Sequence, residues 1–221
     1  MLPIRDHNPS GKFPFVTYLL IALNSLVFLY MLLLPENLAE NFVNSYALIP
    51  ALVTSGQNLS GLFTSMFLHG SFGHIFGNML FLNIFGDNLE DKLSHLKYLL
   101  FYFLCGLGAS FLQIITNPSS TIPNIGASGA IAGLMGAYLV LFPNHKIDIL
   151  FSWGWTFREA TVPAHFLLFY WFLAQLFSGA GSLALPTIGG IAYFAHIGGF
   201  LSGFLIIKIF KKRSSLSSFL D

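Results

Sequence analysis

Three short stretches carry residue types that could do chemistry together. Gly126-Ala127-Ser128-Gly129 presents a serine among small neighbours, and Ala195-His196-Ile197-Gly198-Gly199 presents a histidine. His74-Ile75-Phe76-Gly77-Asn78 holds a histidine and an asparagine four residues apart, which puts both on one helix face. A serine hydroxyl is a weak nucleophile until a base takes its proton, and neutral imidazole is such a base. The attacked carbonyl then needs donors for its oxyanion, and His74, Asn78 and the Ser128 backbone N–H are groups of that kind. Each stretch alone also has a plain structural reading. Gly129/Gly133 and Ala132/Gly136 are small-xxx-small pairs that pack helices. His196 could serve a backbone carbonyl, and His74 and Asn78 could bond a neighbouring helix. Residue 130 is Ala, so the serine is not in the Gly-x-Ser-x-Gly elbow of soluble hydrolases.

The elements that would carry these residues are membrane helices. The chain has 221 residues, 55% hydrophobic and only 9% charged, against about 25% charged in soluble domains. Such hydrophobicity excludes a disordered chain. A net charge of +1 gives none of the basic surplus of a nucleic-acid binder. Cys105 is the lone cysteine, so there is no internal disulfide. A span needs roughly 20 mostly apolar residues. The pattern predicts spans at about 13–34, 74–89, 96–115, 128–142, 163–178 and 188–210, the second and fourth weak by hydropathy. The chain divides into a tail at 1–12, a six-span domain at 13–210 and a tail at 211–221. All ten Lys and Arg fall in the tails, the 90–95 and 143–162 connections and the flanking span ends, on one side; the connections 35–73, 116–127 and 179–187 contain none. The positive-inside rule puts both termini in the cytoplasm. The fold expected is an all-α membrane protein, a six-helix bundle with a long first loop lying partly in the outer interface. The short tail, the compact spans and the lack of a targeting peptide predict a bacterial plasma membrane.

Depth links the three stretches. Counted at 1.5 Å per residue from the basic end of each span, Ser128 lies roughly 22 Å in, His196 and Asn78 roughly 18 Å, and His74 roughly 24 Å. Polar side chains in a bilayer core are costly and mark function. The small faces around Gly129/Gly133 and Gly199/Gly203 can pack together, which would bring Ser128 to His196. No Asp or Glu lies at this depth, so a dyad is expected rather than a triad.

Together and in this order, the motifs His69 with His74-x-x-x-Asn78, Gly126-Ala127-Ser128-Gly129 and Ala195-His196-x-Gly198-Gly199 resemble the rhomboid family of intramembrane serine proteases. The resemblance runs from about Phe63 to Gly203, with a weaker match at Leu2-Pro3-Ile4-Arg5-Asp6. It implies Ser128 as nucleophile, His196 as general base, and His74 and Asn78 as oxyanion donors, with Gly126 supporting the site. His69 matches a family loop histidine, for which active-site hydrogen bonding and loop structure stay open. The family places the fifth span near a lateral substrate entrance, with the loop after it as a cap, and its substrates are other transmembrane proteins.

Two departures stand out. Ser60 and Gly61 replace a frequent Trp-Arg pair, so the first loop must be braced differently. Ala132 replaces an aromatic residue that packs on the catalytic histidine, which leaves Tyr193 or a water to orient His196. Glu90 reads as a structural cap. His69 and His74 find no Cys or carboxylate at their depth, so neither a metal nor a cofactor is expected. The partners expected are transmembrane protein substrates and the lipid bilayer, with no nucleic acid; nothing in the sequence sets an oligomeric state. The rival readings are a non-catalytic rhomboid-like protein that binds and escorts membrane clients, and a small transporter.

Overall fold

A computed structural model describes residues 1–8, 10–184 and 191–217. Helices dominate: α1 (Phe15–Leu33), α2 (Glu36–Tyr46), α3 (Pro50–Thr54), α4 (Gly61–Thr64), α5 (Phe72–Leu93), α6 (His95–Thr116), α7 (Ser128–Leu141), α8 (Ala164–Ala184) and α9 (Tyr193–Ser217). Among the described residues, three helices are long and apolar enough to cross a membrane on their own: Phe15–Leu33, His95–Thr116 and Tyr193–Lys211. Part of the predicted 179–187 connection, residues 188–190 of the predicted last span and the end of the 211–221 tail lie outside the described residues.

The short helix α7 is the axis of the bundle. Its 14 residues measure about 21 Å, less than the roughly 30 Å of a hydrocarbon core. Gly129 through Tyr138 are all buried, because α5, α6, α8 and α9 surround them. Small residues allow this closeness. A Cβ on Gly199 or Gly203 of α9 would strike the carbonyl of Gly129 or Gly133 of α7, and one on Gly136 would strike the carbonyl of Phe200. The anticipated pairing of small faces is therefore the contact between α7 and α9. Around it, Phe85, Tyr98, Phe101, Tyr102 and Leu134 fill the core.

Glu90, 1% exposed on α5, ties the start of α1. Its carboxylate accepts from the Val16 and Thr17 amides at 2.8 Å each and from the Thr17 hydroxyl at 2.7 Å, and His95 Nδ1 lies 2.5 Å away. Carboxylates suit the electropositive start of a helix, so Glu90 is a structural cap, but of α1 rather than of the end of its own span.

The chain is not all-α. Strands β1 (Leu2–Asp6), β2 (Lys146–Trp153) and β3 (Thr156–Pro163) form an antiparallel sheet ordered β1-β2-β3, where a tail and a plain connection were predicted. Alternation in Ile147-Asp148-Ile149 buries the two isoleucines. Gly154, at φ +61°, opens the two-residue turn between paired Trp153 and Thr156, a position that favours glycine. Asp148 joins all three strands. It accepts from Thr161 Oγ1 at 2.6 Å, from Arg5 Nη2 at 2.6 Å and pairs with His7 Nε2 at 2.7 Å. These bonds, from Thr161, His7 and Arg5, hold its carboxyl well below the usual carboxylate range. Asp6 pins the first strand to the bundle, accepting from the Tyr138 hydroxyl and from Asn88 Nδ2.

The first loop is largely helical. Its brace, in place of the absent Trp-Arg pair, is close backbone approach: a Cβ on Gly61 would lie 2.5 Å from the Ala47 carbonyl oxygen. The Thr64 hydroxyl donates to the Tyr46 carbonyl at 2.6 Å, and Leu48 and Asn124 form a bridge to the segment before α7.

Candidate active site

Ser128 is the first residue of α7, reached through Gly126 at φ +123°. That left-handed region suits glycine. The Gly126 amide donates to the Ser65 carbonyl at 2.9 Å, which fixes the approach to the serine. His196 lies in the first turn of α9. Ser128 Oγ and His196 Nε2 are 2.8 Å apart. The hydroxyl donates and the imidazole accepts when the ring proton is on Nδ1, the geometry in which a base can take the serine proton.

His74 and Asn78 stand on α5, whose start is capped by Ser71 Oγ accepting from the His74 amide at 3.2 Å. A Cβ on Gly126 would lie 2.6 Å from His74 Nε2 and 3.6 Å from Asn78 Nδ2, so both donors converge on the backbone just before Ser128. Asn78 Nδ2 is buried with no partner among the described residues. An unused buried donor is costly, and this one lies beside the Gly126 backbone that leads to Ser128.

A cleft of about 510 Å³ opens over Ser128, walled by Phe81 and Asn78 of α5 on one side and Trp171 of α8 on the other, with His196 at its base. His74 lines it and also borders a second, more polar cavity of about 400 Å³ that reaches Gln113 and Asn117. His69 is not on the cleft. It is 1% exposed, behind His74, with ring centroids 4.9 Å apart. Burial first, and the neighbouring His74 second, lower its pKa to about 4. His69 thus packs on His74 and does not line the cleft over Ser128.

The orientation of His196 differs from expectation. The partner is not Tyr193: Nδ1 lies 2.8 Å from Gln175 Oε1 of α8, and the ring packs on Trp171 of α8 with centroids 5.8 Å apart. Sequence reasoning passed over Gln175 because it stands outside the three motif-bearing stretches. The available signal was an amide alone in the apolar run Phe166–Phe177, costly in lipid unless it has a partner.

A bundle of apolar helices around a half-buried Ser–His contact is an integral membrane protein. The Rhomboid domain family matches residues 56–213, and this chain belongs to the rhomboid family. RHOMBOID-like protein 1 of Arabidopsis thaliana is 32% identical over 173 residues, 78% of this chain and 40% of that protein. RHOMBOID-like protein 6, mitochondrial, from the same plant is 34% identical over 154 residues, 70% of this chain and 44% of that protein. Rhomboid protein 1, mitochondrial, of Saccharomyces cerevisiae is 31% identical over 195 residues, 86% of this chain and 51% of that protein. The chain thus spans about two fifths to one half of the length of these relatives. Two of them carry a mitochondrial designation, so the expected bacterial plasma membrane finds no support in them, while integral membrane residence stands.

Proposed function

We propose that this chain is an intramembrane serine endopeptidase that cuts other membrane proteins in or near a transmembrane helix. The observation that carries the reading is the 2.8 Å contact between Ser128 Oγ and His196 Nε2 at the base of a cleft. Six spans cross the bilayer in residues 13–210, and the basic residues keep the flanking tails on the cytoplasmic side.

His196 Nε2 takes the proton of Ser128 Oγ as that oxygen bonds to the scissile carbonyl carbon. His74, Asn78 and the Ser128 amide donate to the oxyanion. The tetrahedral adduct collapses, the C–N bond breaks, and His196 returns its proton to the leaving nitrogen. Water, deprotonated by the same ring, then attacks the acyl ester and frees Ser128. A helix in lipid satisfies its own amides, so the substrate must unwind first. Preference follows for a small residue at the cut and for Gly, Pro or polar residues just beyond it. The cleft of about 510 Å³ beside Ser128 supports entry of an extended segment.

The test is purified protein with a fluorophosphonate probe and a panel of single-span substrates, beside Ser128→Ala and His196→Ala. Labelling and cleavage that vanish in both variants support the enzyme. Cleavage that survives in both would refute the dyad. Substrate binding without labelling or cleavage by the wild type would instead favour the non-catalytic escort.

A further inference from the structure

The imidazole of His196 is held by one helix, and it is not the helix that carries the serine. Trp171 and Gln175 are four residues apart on α8 and so share a face. Gln175 Oε1 stands 2.8 Å from His196 Nδ1. The Trp171 ring lies against the imidazole at an interplanar angle of 37° and is itself stacked on Phe200 of α9 at 30°. Phe172 of α8 stacks on the same Phe200 with centroids 4.5 Å apart. On α7, Ala132, four residues after Ser128, carries only a methyl group.

The chemistry turns on where the ring proton sits. A neutral imidazole carries it on one nitrogen and accepts at the other. An amide oxygen is solely an acceptor, so a ring nitrogen facing Gln175 Oε1 must be protonated. That leaves the Nε2 lone pair for the Ser128 hydroxyl. With the proton on Nε2 instead, both ring contacts would be wrong for a base. The ionisable neighbour across the cleft is His74, and no carboxylate competes for Nδ1 among its hydrogen-bonding partners.

We propose that Gln175 and Trp171 form a positioning clamp on α8, in which Gln175 selects the Nδ1–H tautomer of His196 and Trp171 fixes the tilt of the ring. The clamp rests on the reading of Ser128 and His196 as the reacting pair, and it does the work of the aromatic residue that Ala132 lacks.

The experiment uses the full chain in detergent micelles or liposomes, comparing wild type with Gln175→Met, Gln175→Glu and Trp171→Ala. Ring-nitrogen NMR of His196 is expected to show Nδ1–H in the wild type and a tautomer mixture in Gln175→Met. On a cleaved substrate, Gln175→Met is expected to lose roughly 10²-fold in kcat, a general base's share, with KM unchanged. Gln175→Glu, which keeps an acceptor, restores most of the rate. A merely structural glutamine would lower the melting temperature without moving the tautomer, and its loss would not be rescued by Glu. An Nδ1–H tautomer that persists in Gln175→Met, or an Nε2–H tautomer in the wild type, would overturn the clamp. If the wild type neither labels nor cleaves, the protease reading fails, while the tautomer measurement still decides the clamp.

Discussion

Gly199 of α9 rests on the carbonyl of Gly129 of α7. One glycine comes directly after Ser128 and the other comes three residues after His196. The backbone contact that joins the two helices is therefore also the ruler that spaces the hydroxyl from the imidazole. Gly199→Val is expected to force the helices apart, costing about 1–3 kcal/mol in stability. Misplacing reacting groups by about 1 Å can cost roughly 10²-fold, so fluorophosphonate labelling of Ser128 should slow by that order. Labelling at the wild-type rate in folded Gly199→Val would contradict this spacing role.

Gly126 bears on the proposed oxyanion donors rather than on the proposed dyad. Its φ of +123° and the 2.6 Å separation between an added Cβ and His74 Nε2 leave no room for a side chain. Gly126→Ala should displace His74 and lower kcat by about 10²-fold, with KM little changed. Asn78→Ala should do the same by removing the donor itself. Steady-state kinetics on one substrate checks both; a rise in KM at constant kcat would assign these residues to binding instead.

Glu90→Ala would strand the Val16 and Thr17 amides it now accepts from. Breaking a buried charge network of this kind costs about 3 kcal/mol, which lowers Tm by roughly 6–12 °C in a chain of this size. Labelling per folded molecule should stay at the wild-type level. A loss of labelling without a loss of Tm would give Glu90 a different role.

His69 adds a pH dependence. Its folded pKa of about 4 is below the ordinary 6.5, so between those values the unfolded chain holds more protons at this group. Stability then falls as pH drops from about 6.5 to about 4 and levels off below, following proton linkage. Thermal unfolding of His69→Gln over the same window should show a shallower slope. An identical slope in wild type and variant would remove His69 from the account.

How much of this was legible beforehand differs by element. The predicted spans 13–34, 96–115 and 128–142 lie within two residues of α1, α6 and α7 at every end; apolar runs mark the first two, and Pro123 before and Pro143 after bracket the third, which is weak by hydropathy. The meeting of Ser128 with His196 was legible too, since glycines at helical spacing announce where two backbones can touch. The sheet was not. Its strands pair residues 2–6 with residues 147–150, a long-range match that no local window displays, and the basic residues of the 143–162 connection drew attention to sidedness instead. Gln175 escaped for a related reason: its partner is 21 residues away on another helix, and a single amide has no periodicity of its own. The helices of the first loop were hidden by their mixed polarity.

The last strand of the sheet ends at Pro163 and α8 begins at Ala164, with no residue between them. Gln175 sits twelve residues along that rod, roughly 18 Å from the strand. The mount of the imidazole and the ribbon that receives the amino terminus are thus one continuous stiff piece.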